Sequence, residues 1–463
     1  MKMCASLRRT DGGIMAQMKK DLTEGNVTKN MLLFAGPMIA GNLLQQFYNI
    51  ADSLIVGRFL GPDALAAVGS AYTLMTFLTS ILIGMCMGSG ALFSFYYGRK
   101  EEGRMKDCMQ LSFLLIGGAT LILNAAVMLC CRPILRLLQI PAELMDMMHA
   151  YVWIIFLGLP FVFLYNYFAY LLRAVGNSVV PLCFLGSTAI LNIVLDLLFV
   201  MVCRWGIGGA AAATVIAQAV SGAGLMAYTW AREPGLRFDR QHFHGEKGSL
   251  AEILRFCFSS SVQQSVMNFG ILMIQGLVNS FGAVVMAAFA AAVKIDSFAY
   301  MPAQEFGNAF SLFISQNHGA GKQDRVRRGM KSALGISMAF CAAVSLLIFA
   351  AAPWLMLLFI RPEETEIIAV GVGYLRIEGA FYCGIGILFL LYGYYRGINR
   401  PEMSLVLTVI SLGTRVLLAY VLAPIPQIGV IGIWSAIPMG WFLADVTGIL
   451  CLKKGMVKRT AMG

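Results

Sequence analysis

The chain is written in long apolar blocks separated by short polar breaks. Apolar residues run near positions 31–57, 64–95, 107–130, 150–172, 179–203, 207–230, 256–281, 284–315, 331–358, 372–395, 402–423 and 428–452. Each block is at least as long as the ~20 residues a helix needs to cross ~30 Å of hydrocarbon. In lipid only helices and closed barrels satisfy their own backbone groups, and uninterrupted blocks of this length read as helices. The pattern therefore predicts an all-α polytopic membrane protein with twelve spans. The polar first 30 residues, which include Met15 and Met18, lack the form of a cleavable leader, and translation could begin at either methionine.

The polar breaks orient these helices. With the N-terminus in the cytoplasm, every second break carries the basic residues. Residues 1–30, 96–106, 173–178, 231–255, 316–331, 396–401 and 453–463 together hold 27 of the 35 Lys and Arg. The outer connections keep only Arg58, Arg132, Arg136, Arg204 and Arg361. Lysine and arginine stay on the cytoplasmic side, so both termini are expected there.

Composition agrees with a lipid solvent. Of 463 residues, 59% are hydrophobic and 13% charged, with a net charge of +11, against roughly 25% charged in soluble proteins. The positive balance reads as leaflet orientation and attraction to anionic lipid. Without a soluble basic face carrying interleaved aromatics, a nucleic-acid partner is not expected. Eleven cysteines are scattered singly apart from Cys130 and Cys131, and read as small buried hydrophobes with free thiols. The four histidines show no metal spacing; His242 and His244 fall in a polar loop. No nucleophile and base converge, so an enzyme is not expected, and no cofactor is implied.

The chain repeats itself. GALFSFYYGRKEEGR around Gly98–Arg104 resembles SLFISQNHGAGKQDR around Gly319–Arg325 at an offset of 221, and GPDALAA from Gly61 matches GAVVMAA from Gly282 at the same offset. Tyr151 and Tyr374, Arg173 and Arg396, Gly206 and Gly429, and Gly209 and Gly432 all differ by 223. This is a duplicated six-span unit. Six is even, so both copies cross the bilayer in the same sense, and a pseudo-two-fold axis along the membrane normal with a cavity between the lobes is expected. The expected division is a cytoplasmic segment 1–30, a first lobe 31–230, a cytoplasmic linker 231–255, a second lobe 256–452 and a cytoplasmic tail 453–463.

Against this background the buried polar residues stand out. On the first span Gln45, Tyr48, Asn49 and Asp52 step by three or four and share a face, which must point into protein or water. On the fifth span Asn192 and Asp196 are at i and i+4, with Thr188 one turn earlier; on the sixth, Thr214 and Gln218 repeat the spacing. Counted from their span ends, Asp52, Asp196 and Thr214 differ in depth by only about 3 Å. Two carboxyls, an amide and a hydroxyl at one depth suit H⁺ or Na⁺: hard cations take oxygen ligands, and neighbouring carboxylates in a dry site retain a proton or recruit a cation. The plainer alternative is a hydrogen-bonded clamp around a permanently neutral acid. Phe47, Tyr48, Phe161, Phe163, Tyr165, Asn166 and Tyr167 are candidates for lining a central cavity, although membrane aromatics commonly only pack.

The second copy differs. At an offset of 223, Arg415 stands opposite Asn192 and Ala419 opposite Asp196, so a cation there would meet a fixed positive charge. Its own polar set is Lys294, Asp296, Gln304 and Glu305 on the eighth span and Glu378 on the tenth. Lys294 and Asp296, two apart, do not face each other, so each is expected to have another partner, as a structural ion pair.

Pro37 with the QQFYNIAD run ending at Asp52, IVGRFLGPDALAAVG, LNIVLD and KIDSFAYMPAQEFGNAFSLFISQNHGAGK together resemble the multidrug and toxic compound extrusion (MATE) family, nearer its DinF-like branch than its eukaryotic one. The resemblance covers Leu22 to Leu452. It implies twelve helices in two pseudo-symmetric six-helix lobes and cation-coupled (H⁺ or Na⁺) export of small organic, often cationic, compounds. The implied setting is a bacterial cytoplasmic membrane, with the protein monomeric among its lipids. The family's first-lobe cation site falls on Asp52, Asn192, Asp196 and Thr214, with Pro37 as first-helix hinge; on the reading of the residues themselves, Gln45, Tyr48, Asn49 and Asn166 are the candidates for binding substrate. The acidic pair that other branches place on the seventh and tenth helices is missing, with Met267 and Ile385 near the expected positions. A lipid-linked oligosaccharide flippase of the same superfamily is the alternative, but it typically carries fourteen spans and basic cavity residues.

Overall fold

A computed structural model describes residues 20–137, 142–239 and 247–460. The helices outrun the apolar blocks that predicted them. In the first half α1 is Val27–Leu60, α2 Pro62–Arg99 and α3 Glu102–Leu137; α4 is Ala142–Phe156, α5 Leu159–Ala174, α6 Val179–Asp196 and α7 Gly206–Arg232. The second half follows with α8 Lys247–Asn279, α9 Ala283–Gly319, α10 Gln323–Met356, α11 Thr365–Gly379, α12 Tyr382–Gly397, α13 Pro401–Leu422 and α14 Val430–Thr460. Eight single helices are long and apolar enough to cross a membrane, and the pairs α4–α5 and α11–α12 each make a bent span. With the long, more polar α1 and α8, the described helices make twelve spans.

The bent spans mark a departure from twelve straight rods. The fourth breaks by 40° and the tenth by 51°. Around the first break the sequence reads Leu157-Gly158-Leu159-Pro160; proline supplies no amide hydrogen, so it starts α5 rather than continuing α4. The Gln218 amide oxygen fills the place where a Cβ on Gly158 would stand. Both breaks fall at the 223 offset, from 142 to 365 and from 159 to 382.

The duplication also reaches the backbone. Gly61 (φ 89°) and Gly282 (φ 93°) both open a helix in a conformation that only glycine adopts freely. At the end of α2, Lys100 N–H donates to Tyr97 O and Glu101 N–H to Tyr96 O; after α9, Gly321 N–H donates to His318 O and Lys322 N–H to Asn317 O. Gly176 and Asn177 donate to Arg173 and Leu172 as Asn399 and Arg400 donate to Arg396 and Tyr395. These paired bonds from a left-handed residue satisfy the last carbonyls of each helix.

Packing divides the chain into two compact units, one holding Leu32–Ser261 and the other Val262 onward together with Gly25–Met31. The division falls inside α8. The first turns of α8 lie against α2, where glycines let the backbones touch: a Cβ on Gly84 would stand 2.5 Å from Ser261 Cα, and one on Gly88 would strike Phe256 O. The first unit is cored by aromatics, with Phe113 meeting Tyr167 edge-on at 5.2 Å. In the second, Phe289 stacks on Trp434 at 5.4 Å with Tyr374 edge-on to both. Outward faces stay apolar, as Leu129 (84% exposed) and Ile122 (73%) illustrate, which is the pattern of helices whose solvent is lipid. The ten described cysteines are all free thiols.

Candidate functional site

Three helices of the first unit bring the predicted oxygens together. On α6 the i, i+4 spacing puts Asn192 (2% exposed) and Asp196 (0%) on one buried face. Across from them on α7, Thr214 donates to Ala210 O of its own helix at 3.1 Å and accepts from Asn192 Nδ2 at 3.5 Å. That bond leaves the Asn192 carbonyl oxygen buried and without a partner. Both carboxyl oxygens of Asp196 and Oδ1 of Asp52 on α1 are likewise buried with no hydrogen-bond partner.

The two acids interact. Asp52 lies within electrostatic reach of Asp196, and the hydroxyls of Tyr48 and Tyr151 lie within reach of both. Directly after Asp196 the α-helix loosens into a π-helical stretch, Leu197–Val202, a rare geometry that concentrates at functional sites. Gly41 on α1 faces Leu182 and Leu185 on α6, whose side chains lie at ordinary van der Waals distance from where its Cβ would stand.

Buried polar atoms in folded proteins are nearly always hydrogen-bonded, so four orphaned oxygens in one neighbourhood mark a place for a bound donor or cation. Among the described residues no three His, Cys, Asp or Glu side chains gather as a metal cluster. Two carboxyls with neutral oxygens around them suit a proton or a monovalent cation better than a tightly held transition metal.

The other predicted residues are less convergent. Tyr48 joins the site, while Asn49 turns to Gln46 Oε1 at 3.5 Å. Gln45 is exposed rather than enclosed; the shared-face argument overlooked that the apolar stripe beside it is also open. Asn166 donates to Val162 O, one turn back on its own helix, at 2.9 Å. Pro37 leaves α1 continuous, but the carbonyl of Leu33 loses its usual helical donor. Tyr151 was missed, since its only signal was membership of the repeat; so was Asp445, a buried acid on α14 with an unpartnered Oδ1.

In the second unit Lys294 makes no ion pair among the described residues. Lys294 is exposed, with its ammonium 5.9 Å from the centre of the Phe359 ring, while Asp296 faces inward and accepts from the Tyr382 hydroxyl at 2.7 Å. Two residues along a helix turn the side chains by some 200°, so opposite environments follow from the geometry.

Comparison with known proteins settles the family. The MatE family model matches residues 37–198 and again 257–421, once in each half. This chain belongs to the MATE family. As a MATE protein it is a membrane transporter and not an enzyme. It is 31% identical to the probable multidrug resistance protein YpnP of Bacillus subtilis, over 84% of this chain and 87% of that one. It is 25% identical to the probable multidrug resistance protein NorM of Thermotoga maritima, over 88% of each. A crystal structure of MATE in complex with MaL6 shares the fold, with TM-score 0.86 and 23% identity over 95% of this chain and 98% of that one.

Proposed function

We propose that this MATE protein is a cation-coupled antiporter, driven by H⁺ or Na⁺, that exports amphipathic, often cationic, organic compounds across the bacterial cytoplasmic membrane by alternating access. Both termini lie in the cytoplasm, the working unit is a monomer, and the sequence stands nearer the DinF-like branch. Asp52, Asn192, Asp196 and Thr214 take the coupling ion. Gln45, Tyr48, Asn49 and Asn166 serve the substrate path, and Pro37 is the hinge of α1. The observation that carries this reading is the set of buried, unpartnered oxygens on Asp52, Asn192 and Asp196, together with relatives named as multidrug resistance proteins.

The physics runs from charge to shape. A proton or Na⁺ arriving from outside satisfies the orphaned oxygens and redraws the hydrogen bonds between α1 and α6. Pro37 lies about 22 Å along the axis from Asp52, at a point where α1 has already lost one backbone hydrogen bond, so a small change of bend costs little there. Cation and substrate then compete for the same unit. One inward charge across 100 mV supplies ~2.3 kcal/mol, enough for a ~40-fold gradient of a neutral compound. For a monovalent cationic drug exchanged one for one, the voltage contribution cancels and the ion gradient alone drives export.

Reconstitution in liposomes tests this. Efflux of a fluorescent organic cation is followed under an imposed Na⁺ gradient and then under a proton gradient. Asp52→Asn is expected to abolish ion-driven efflux while the protein remains folded; near-normal export by that variant contradicts the proposal.

A further inference from the structure

The second unit buries charge of both signs around one space. A cavity of about 90 Å³ is walled by aromatic side chains, including Phe289, Tyr300 and Trp441, with Asp296, Glu378 and Arg415 among its lining. At roughly 10–15 Å³ per water, it holds several waters or a small polar organic group of that size. Asp296 (5% exposed) is supported from behind by the Tyr382 hydroxyl, and the Tyr374 hydroxyl lies beside both carboxyls. Glu378 is 3% exposed, yet its Oε2 has no hydrogen-bond partner; the buried Nε of Arg415 has none either. Among the described residues, no ion pair joins Arg415 to Asp296 or Glu378.

An acid and a guanidinium that face one cavity without touching constrain what enters. A neutral apolar guest would leave both unsatisfied in a dry place, which is costly. A simple cation would satisfy Glu378 but meet Arg415, and a simple anion would do the reverse. A molecule carrying an ammonium and a carboxylate satisfies both ends and leaves the net charge unchanged. The guanidinium fork matches a carboxylate in two parallel bonds, and aromatic faces favour an ammonium above them.

We propose that the cavity of the second unit binds small zwitterions, with the ammonium at Glu378 and Asp296 and the carboxylate at Arg415. The proposal rests on the reading of the chain as an exporter of small organic molecules, but it does not depend on ion coupling at Asp52.

The test is calorimetric titration of the purified full-length chain at neutral pH with three small probes sized to the cavity: alanine, its methyl ester, which keeps only the positive charge, and N-acetylalanine, which keeps only the negative. Wild type is expected to bind the zwitterion at least about tenfold more tightly than either analogue, the scale of one charged hydrogen bond. Arg415→Met is expected to erase the advantage over the ester, and Glu378→Gln the advantage over the N-acetyl compound. Equal affinities for the three probes, or no binding of any, overturn the proposal on wild type alone, whatever the variants' folding. If the zwitterion is preferred while Asp52→Asn still exports normally, the coupling reading fails and this one stands.

Discussion

The same tyrosine faces two different chemistries. Tyr151 of the first unit and Tyr374 of the second are repeat partners, and each lies beside a pair of buried acids. The acids themselves do not correspond. Asp52, Asn192, Asp196 and Thr214 align with Met273, Arg415, Ala419 and Ile437, while Asp296 and Glu378 align with Met75 and Ile155. Duplication kept the place and exchanged the charge. The first unit presents carboxyls with no resident cation among their described neighbours, whereas the second carries its own guanidinium. A buried carboxyl pair is expensive unless something balances it. In the coupling proposed above, the first copy takes its balancing charge from outside, whereas the second has a guanidinium, Arg415, in the lining of the same cavity as its acids.

The sharpest way to break this comparison is to remove a first-unit acid. Asp196→Asn is expected to lower ion-driven efflux about 100-fold or more, the scale of losing a charged partner in a dry site, with secondary structure unchanged by circular dichroism. Asn192→Arg carries the second unit's solution into the first. It should yield a folded protein whose efflux no longer responds to Na⁺ or to pH, and retained ion dependence in liposomes would mean that the two clusters are not alternatives.

Stability offers the next test. Arg415→Met removes the positive charge near Asp296 and Glu378 and should lower the unfolding midpoint in detergent, by less than the ~3 kcal/mol of a broken buried ion pair, because the guanidinium forms no ion pair with either acid. Adding Glu378→Gln should recover much of that loss, because the uncompensated charge is removed with it. Thr214→Ala, which removes only a neutral oxygen, is expected to raise the ion concentration for half-maximal efflux about tenfold. Tyr374→Phe is expected to be mildest, at about 1 kcal/mol for one hydrogen bond.

The spans and the duplication were legible because lipid imposes one rule on every residue of a helix and because glycine-dependent turns leave fixed letters in the sequence. Depth counting and i, i+4 spacing also brought Asn192, Asp196 and Thr214 to one place. What stayed hidden depends on partners rather than on pattern. Hydropathy cannot see the π-helical stretch after Asp196, since its apolar residues 197–202 would suit an α-helix as well. The break of the tenth span has no proline to announce it. Asn166 looked available until its own helix claimed it, and Gln45 sits on a face whose exposure only packing decides. Asp445 and Arg415 were present as letters, but a charge on an apolar helix does not reveal what it looks at.

The repeated helix ends carry a practical lesson. Lys100 (φ 60°) and Asn399 (φ 63°) hold a left-handed backbone that their repeat partners, Gly321 and Gly176, adopt with no side chain to resist it. Each half thus contains a spare part for the other. Borrowing the partner's residue at these two corners would relax the main chain without touching any buried charge, and so offers a route to a hardier protein whose transport chemistry is left alone.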